Sequence, residues 1–155
     1  LGAIVSSLAP KTEGQSHPFT LAEDGTGYVP DLLDEPARHS TRSFIVRSPD
    51  TMPMDDGEAG VPGGRLRATL SIQVLYLLAD WPLSRLLESM AEDCAAIIRA
   101  MQSTPDWQTP TTGILSIVPG EQPTREPAEQ DSPTGSKTIG HVLTIPLPII
   151  YREAA

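Results

Sequence analysis

This chain has little cysteine, few aromatic residues, few cations and no long apolar run. Cys94 is the single cysteine among 155 residues, so neither an intrachain disulfide nor a cysteine-built zinc site can form. Lys and Arg number 11 against 20 Asp and Glu, giving a formal charge of −9. Binding to a phosphate backbone or to an anionic membrane surface draws on clustered Lys and Arg, so the composition argues against both. No apolar run approaches the ~20 residues that cross a bilayer. The stretch Leu1-Gly2-Ala3-Ile4-Val5-Ser6-Ser7-Leu8-Ala9 lacks the basic start of a signal peptide, and a first residue other than Met is expected of a processed or trimmed start.

Proline, by contrast, is abundant, at 16 of 155 residues. It falls mainly outside two apolar regions, residues 66–118 and 139–151. The expectation is one domain over 1–155: an irregular N-terminal arm over 1–40, then a core over 41–152 carrying long loops at 48–64 and 119–137.

The strongest local signal is a helix from Trp81-Pro82 to Gln102. Leu83, Leu86, Leu87, Met90, Cys94, Ile97, Ile98 and Met101 recur at the spacing of one helical face, and Arg85, Glu88, Glu92 and Arg99 fall on the other. Pro82 suits a first turn, where its missing N–H costs nothing, and Pro105 lies just past the end. A helix with one apolar face must lie on something, and strand patterns flank it.

Thr41-Arg42-Ser43-Phe44-Ile45-Val46-Arg47 reads as a first strand. Along residues 65–78, Leu66, Ala68, Leu70, Ile72, Val74, Tyr76 and Leu78 alternate with Arg65, Arg67, Thr69, Ser71, Gln73, Leu75 and Leu77. A period of two puts the first set against the helix and leaves the second face polar as far as Leu75, either wet or meeting a partner. Gly113 to Val118 is a third strand and Thr138 to Arg152 a fourth. In the fourth, Pro146 and Pro148 remove two donors from one edge, so it is expected to be an edge strand or to end its pairing near Leu147. In the arm, Asp31 to Glu35 reads as a helical turn ended by Pro36. The sum is an α+β domain: a small four-stranded antiparallel or mixed sheet with one main helix packed on one face and long Pro-rich loops.

No motif for chemistry stands out. Gly135-Ser136-Lys137-Thr138 has the wrong order for a phosphate-binding loop and precedes a strand. Asp55, Asp56 and Glu58 lack the alternate spacing of a calcium loop and read as a solvated acidic loop. His17, His39 and His141 share no ligand spacing, and His141 follows the apolar parity of its strand. Cys94 lies on the apolar stripe as a small core residue, and Trp81 and Trp107 are placed to anchor the two helix ends. Serine, histidine and aspartate triads assemble from distant positions, but no Gly-x-Ser-x-Gly elbow singles out a serine. A catalytic role is therefore the weakest expectation, with no cofactor and no metal. A peptide-binding module that adds a strand at a free sheet edge is a stronger one.

The helix between strand pairs, the long acidic loops, the edge-like final strand and the run Arg65-Leu66-Arg67-Ala68-Thr69-Leu70-Ser71-Ile72-Gln73-Val74 leading into the helix resemble the tail terminator proteins of long-tailed bacteriophages, over residues 41–152. That resemblance implies a non-enzymatic virion protein of the tail or neck, assembled in the host cytoplasm. It implies a homohexameric ring that caps the tail tube and meets the head-side connector, with DNA passing through the lumen. A related neck or tail-completion protein would read the same way. No functional residue carries over from the resemblance. The polar strand face and the two loops offer the interface candidates: Arg65, Arg67, Gln73, Asp55, Asp56, Glu58, Glu121, Arg125 and Glu126.

Overall fold

The computed structural model describes residues 2–8, 18–22, 30–47, 52–53, 65–103, 114–117, 122–131, 133, 135 and 137–152. Two long strands form its axis. Strand β4 (Arg65–Leu77) and strand β7 (Lys137–Arg152) run antiparallel, and all 13 residues of β4 find a partner, from Arg65 opposite Arg152 to Leu77 opposite Gly140. Each outer edge of this ribbon carries two shorter strands in tandem. Beside β4 lie β2 (Ser43–Arg47) and β3 (Met52–Pro53); beside β7 lie β5 (Ile114–Ile117) and β6 (Thr124–Asp131). β1 (Thr20–Leu21) pairs parallel to β2, which makes the sheet mixed, with a main path β1-β2-β4-β7-β5.

Helix α2 (Leu83–Ser103) covers one face. Leu86, Met90, Ile97 and Met101 meet Leu70, Ile72, Val74 and Tyr76 of β4 and Leu143, Ile145, Leu147 and Ile149 of β7, as the two periodicities predict. Trp81 is buried in the same core, and Cys94 and Ile98 pack at its margin. Val5, from the short helix α1 (Gly2–Ser6), joins it. Leu83 departs from the expectation. It is 51% exposed, at the first turn of the helix. Trp107 lies outside the described residues.

The opposite, back face carries a second, smaller core: Ile45, Leu75, Leu77, Ala128 and Val142 under Leu32, with Leu33 and Ala22 beside them. Its cover is the arm. Residues 31–35 close a turn in which the Glu35 N–H donates to the Asp31 carbonyl (3.1 Å), and Pro36–Arg38 follows as a 3-10 turn against β6 and β7. Pro36 thus starts a second turn as well as ending the first, since a proline is favoured at an opening position. The described part of the arm packs over the back-face residues Leu75, Leu77 and Val142.

Two expectations are corrected. The last strand, β7, is central rather than an edge. The Ile139 carbonyl accepts from the Leu78 N–H, so odd residues of β7 bond to β4 and even residues address the other side. There β6 stops at Thr144 and β5 begins at Ile149. Pro146 and Pro148 lie in that gap, where a missing donor breaks no ladder. Nor does the pairing end near Leu147: it lapses on one side between Thr144 and Ile149, resumes there with β5, and continues with β4 to Arg152. Second, 119–137 is not a loop throughout: residues 124–131 form β6, hairpinned onto β7, with a connection of only 132–136. Thr-Arg-Glu-Pro-Ala-Glu-Gln-Asp hides its strand character because Ala128 alone is buried, and backbone bonding to one neighbour holds the rest. The sheet accordingly has more strands than the four expected.

Gly140 closes the ribbon where β7 meets the end of β4. A Cβ there would press on the Tyr76 carbonyl oxygen and crowd the Leu77 side chain. Gly140→Ala is expected to cost about 1–3 kcal/mol, since two paired backbones cannot separate cheaply. The urea midpoint, read at an unchanged m value, checks it.

Candidate functional site

The most organised polar group in the fold lies inside it. The turn before β2 places Thr41 and Arg42, both buried, against the end of β4 and the middle of α2. The Arg42 guanidinium donates through Nε and Nη2 to the two carboxylate oxygens of Asp93, each at 2.9 Å. The Tyr76 hydroxyl donates to Asp93 Oδ2 at 2.7 Å. Rings above and below complete the seat, with the guanidinium carbon 5.1 Å from the Phe19 centroid and 5.2 Å from that of Trp81. A planar guanidinium suits such a slot because it can stack and fork at once. Thr41 Oγ1 accepts the Leu77 N–H at 3.1 Å and donates to Asp80, tying the same turn to the β4–α2 connection.

This centre holds its backbone in a costly shape. Arg42 has φ 66°, the left-handed region, which costs a residue with a Cβ about 1–2 kcal/mol. The Arg42 N–H donates to the Leu75 carbonyl at 2.7 Å, so the conformation aims both backbone and side chain inward. Burial raises the Asp93 carboxyl above the usual range despite the hydrogen bonds from Tyr76 and Arg42. Burial first, and then the Asp93 charge, pushes the Tyr76 hydroxyl well up. With relative exposures of 0, 2 and 0% for Arg42, Asp93 and Tyr76, the group has no opening to a substrate. It joins four chain segments.

The sequence reading missed it, though half of the signal was there. Asp93 stands in the 86, 90, 93, 97, 101 row of the helix, so an acid sits in the core stripe and requires a buried cation. Its partner lies 51 residues away in a strand-like run, and nothing local marks it.

The predicted interface residues scatter. Gln73 is on the back face, half-buried, accepting from Arg47 Nε (3.2 Å) and donating to Thr144 Oγ1 (3.4 Å). Register places Arg67 and Arg65 on that same face of β4, two and four positions before Thr69. Arg125 and Glu126 are exposed on β6, but consecutive strand residues take opposite faces, so the two do not combine. Asp55, Asp56, Glu58 and Glu121 lie outside the described residues, as does His17.

Both described histidines have lowered pKa values. Burial, then Arg38, lowers the pKa of His39; burial, then Arg125, lowers that of His141. His39 Nε2 and His141 Nδ1 are buried without a hydrogen-bond partner. An unfolded histidine titrates near ~6.5. As pH falls through that value the unfolded chain takes up protons that the folded chain does not, so stability falls. Thermal melts from about pH 7 down to about pH 5 should show that loss, and it should shrink in His141→Gln and in His39→Gln.

Among the described residues no group of three or more His, Cys, Asp or Glu is placed to hold a metal, and no helix is long and apolar enough to cross a membrane. No protein-family model matches the sequence, and no curated protein matches it.

Proposed function

We propose that this chain is a self-assembling structural subunit of a long-tailed bacteriophage. It is read as a tail terminator whose copies close a six-membered ring on the tail tube and meet the head-side connector. The observation that supports the reading is a polar belt on the back face. Among the described residues, helix α2 packs on one face of the sheet and the arm packs on the other around Leu75, Leu77 and Val142. Beyond that cover, Thr69, Ser71, Gln73, Thr144 and Pro146 form a half-buried polar belt, flanked by Arg47. A half-buried polar belt of this kind suits a protein neighbour, and closed rotational symmetry is the usual form of a homo-oligomer. The charge of −9 fits a lumen that lets DNA slide without holding it. A related neck or tail-completion subunit would use the same surface, and the reading assigns no enzymatic role and no cofactor.

Strand addition by a peptide would need an edge other than β7. The strand once expected to be the free edge, β7, is central. On β6, Pro127 falls opposite His141, at a position whose main chain faces away from β7, so its missing N–H blunts the outer side.

Sedimentation at micromolar concentration, alone and with purified tail tubes, tests the proposal. A mass near six chains, or capped tubes, is expected. A strict monomer that leaves tubes uncapped would overturn it.

A further inference from the structure

Among the described residues nothing pairs with the outer side of β6. Its register with β7 fixes which groups lie there. Even residues of β7 address β6, so Thr124, Glu126, Ala128 and Gln130 bond inward. Arg125, Pro127, Glu129 and Asp131 turn their main chains outward, and all four are exposed. Pro127 offers a carbonyl and no donor there; the other three offer both. Their side chains share one face and are ordered by sign, with Arg125 near the start of the strand and the acids near its end. Lys137, across the hairpin, meets Glu129 at 2.9 Å, and Asp131 has no ion pair among the described residues.

We infer that β6 pairs antiparallel with β6 of a second copy across a two-fold axis. The charge order selects both the occupant and the direction. Parallel pairing would set Arg125 beside Arg125 and acid beside acid, and like charges opposite each other destabilise a sheet. Antiparallel pairing sets Arg125 of each copy against the acids of the other. Pro127 then selects the register. With Pro127 opposite Pro127, two carbonyls would face each other with no donor between them. A shift of two residues puts Ala128 on the axis and Arg125 opposite Asp131, and brings each Glu129 N–H to the Pro127 carbonyl of the other copy. Every outward N–H of β6 then meets an acceptor. Proline and charge on an edge guard against indiscriminate pairing, and here they favour one self-match over the rest. The contact goes beyond the ring reading and does not depend on it. It is isologous, closes on two copies, and uses a sheet edge rather than the back-face belt.

Amide hydrogen exchange and sedimentation equilibrium test it, from about 10 μM to about 1 mM, a range suited to a small interface. As concentration rises, the amides of Arg125, Glu129 and Asp131 should pass from open to protected, and the mass from one chain to two. Those of Glu126 and Ala128, bonded inward, should be protected throughout. Arg125→Glu, and separately Glu129→Arg with Asp131→Arg, should each raise the dissociation constant at least about tenfold, because both cross-strand pairs become like-charged. Mixed one to one, the two variants should pair with each other as tightly as wild type, because both pairs regain opposite signs. Should the double variant fail to fold, Asp131→Arg takes its place. Outward amides that stay open over the whole range would overturn the inference, and so would variants that self-pair as tightly as wild type. A six-chain ring with those amides open keeps the ring reading and fails this contact. A two-chain species with them protected, leaving tail tubes uncapped, keeps this contact and fails the ring reading.

Discussion

Asp93→Ala is expected to lower stability by about 3–5 kcal/mol, because it leaves the Arg42 charge buried with no carboxylate opposite it. Arg42→Met should cost about as much for the converse reason. Its backbone term is unchanged, since Met at φ 66° is as strained as Arg. The informative variant combines Arg42→Met with Asp93→Leu. A buried ion pair must recover the desolvation of two charges, and an apolar replacement often matches or exceeds it. The double variant should therefore recover most of either single loss, and chemical denaturation of all four proteins measures the coupling. pH adds a second check. The folded protein holds the Asp93 proton at higher pH than an unfolded chain, where an aspartate titrates near ~3.9. Between those two values the folded state binds more protons, so this group adds stability as pH falls and withdraws it as pH rises. The histidines act in the other direction, so measuring the pH dependence in His39→Gln and His141→Gln backgrounds isolates the Asp93 effect. A double variant that stays as unstable as either single would show that the centre is held by something other than its charges.

How far this fold can be read from sequence depends on where each segment's bonding goes. Strand β4, strand β7 and helix α2 declare themselves because burial on one face imposes a period on side chains, and Leu70, Ile72, Val74 and Tyr76 sit where that period puts them. Strand β6 does not, because its bonding is in the main chain and only Ala128 turns inward. The prolines of β7 were read as marking an edge. They mark a gap between two tandem neighbours, and the difference is a matter of which strands lie alongside, which no local pattern encodes. The Arg42–Asp93 pair is an intermediate case: the acid on the apolar stripe was visible, the distant cation was not. The interface candidates illustrate the same limit. Arg65, Arg67 and Gln73 share a face because they share a strand and a parity, whereas Arg125 and Glu126, neighbours in sequence, part to opposite faces.

Ile97→Ala should cost about 2–5 kcal/mol, against no more than about 0.5 kcal/mol for Leu83→Ala on the same helix. Ile97 is fully buried in the core formed with β4 and β7, while Leu83 stands half in solvent at the first turn. Removing the Ile97 side chain loses its transfer free energy and leaves a cavity between a helix and a 13-residue paired ribbon, neither of which can collapse freely. Leu83 is half exposed already, so its truncation changes little beyond a small shift in helix propensity, for which Ala is favourable. Urea unfolding of the two variants at neutral pH reads the difference directly. Equal costs would mean that the helix lies on the sheet rotated by about one residue, which is about 100° of helical turn. That rotation would also carry Asp93 away from Arg42, so the two measurements, taken about one turn apart on one helix face, must agree.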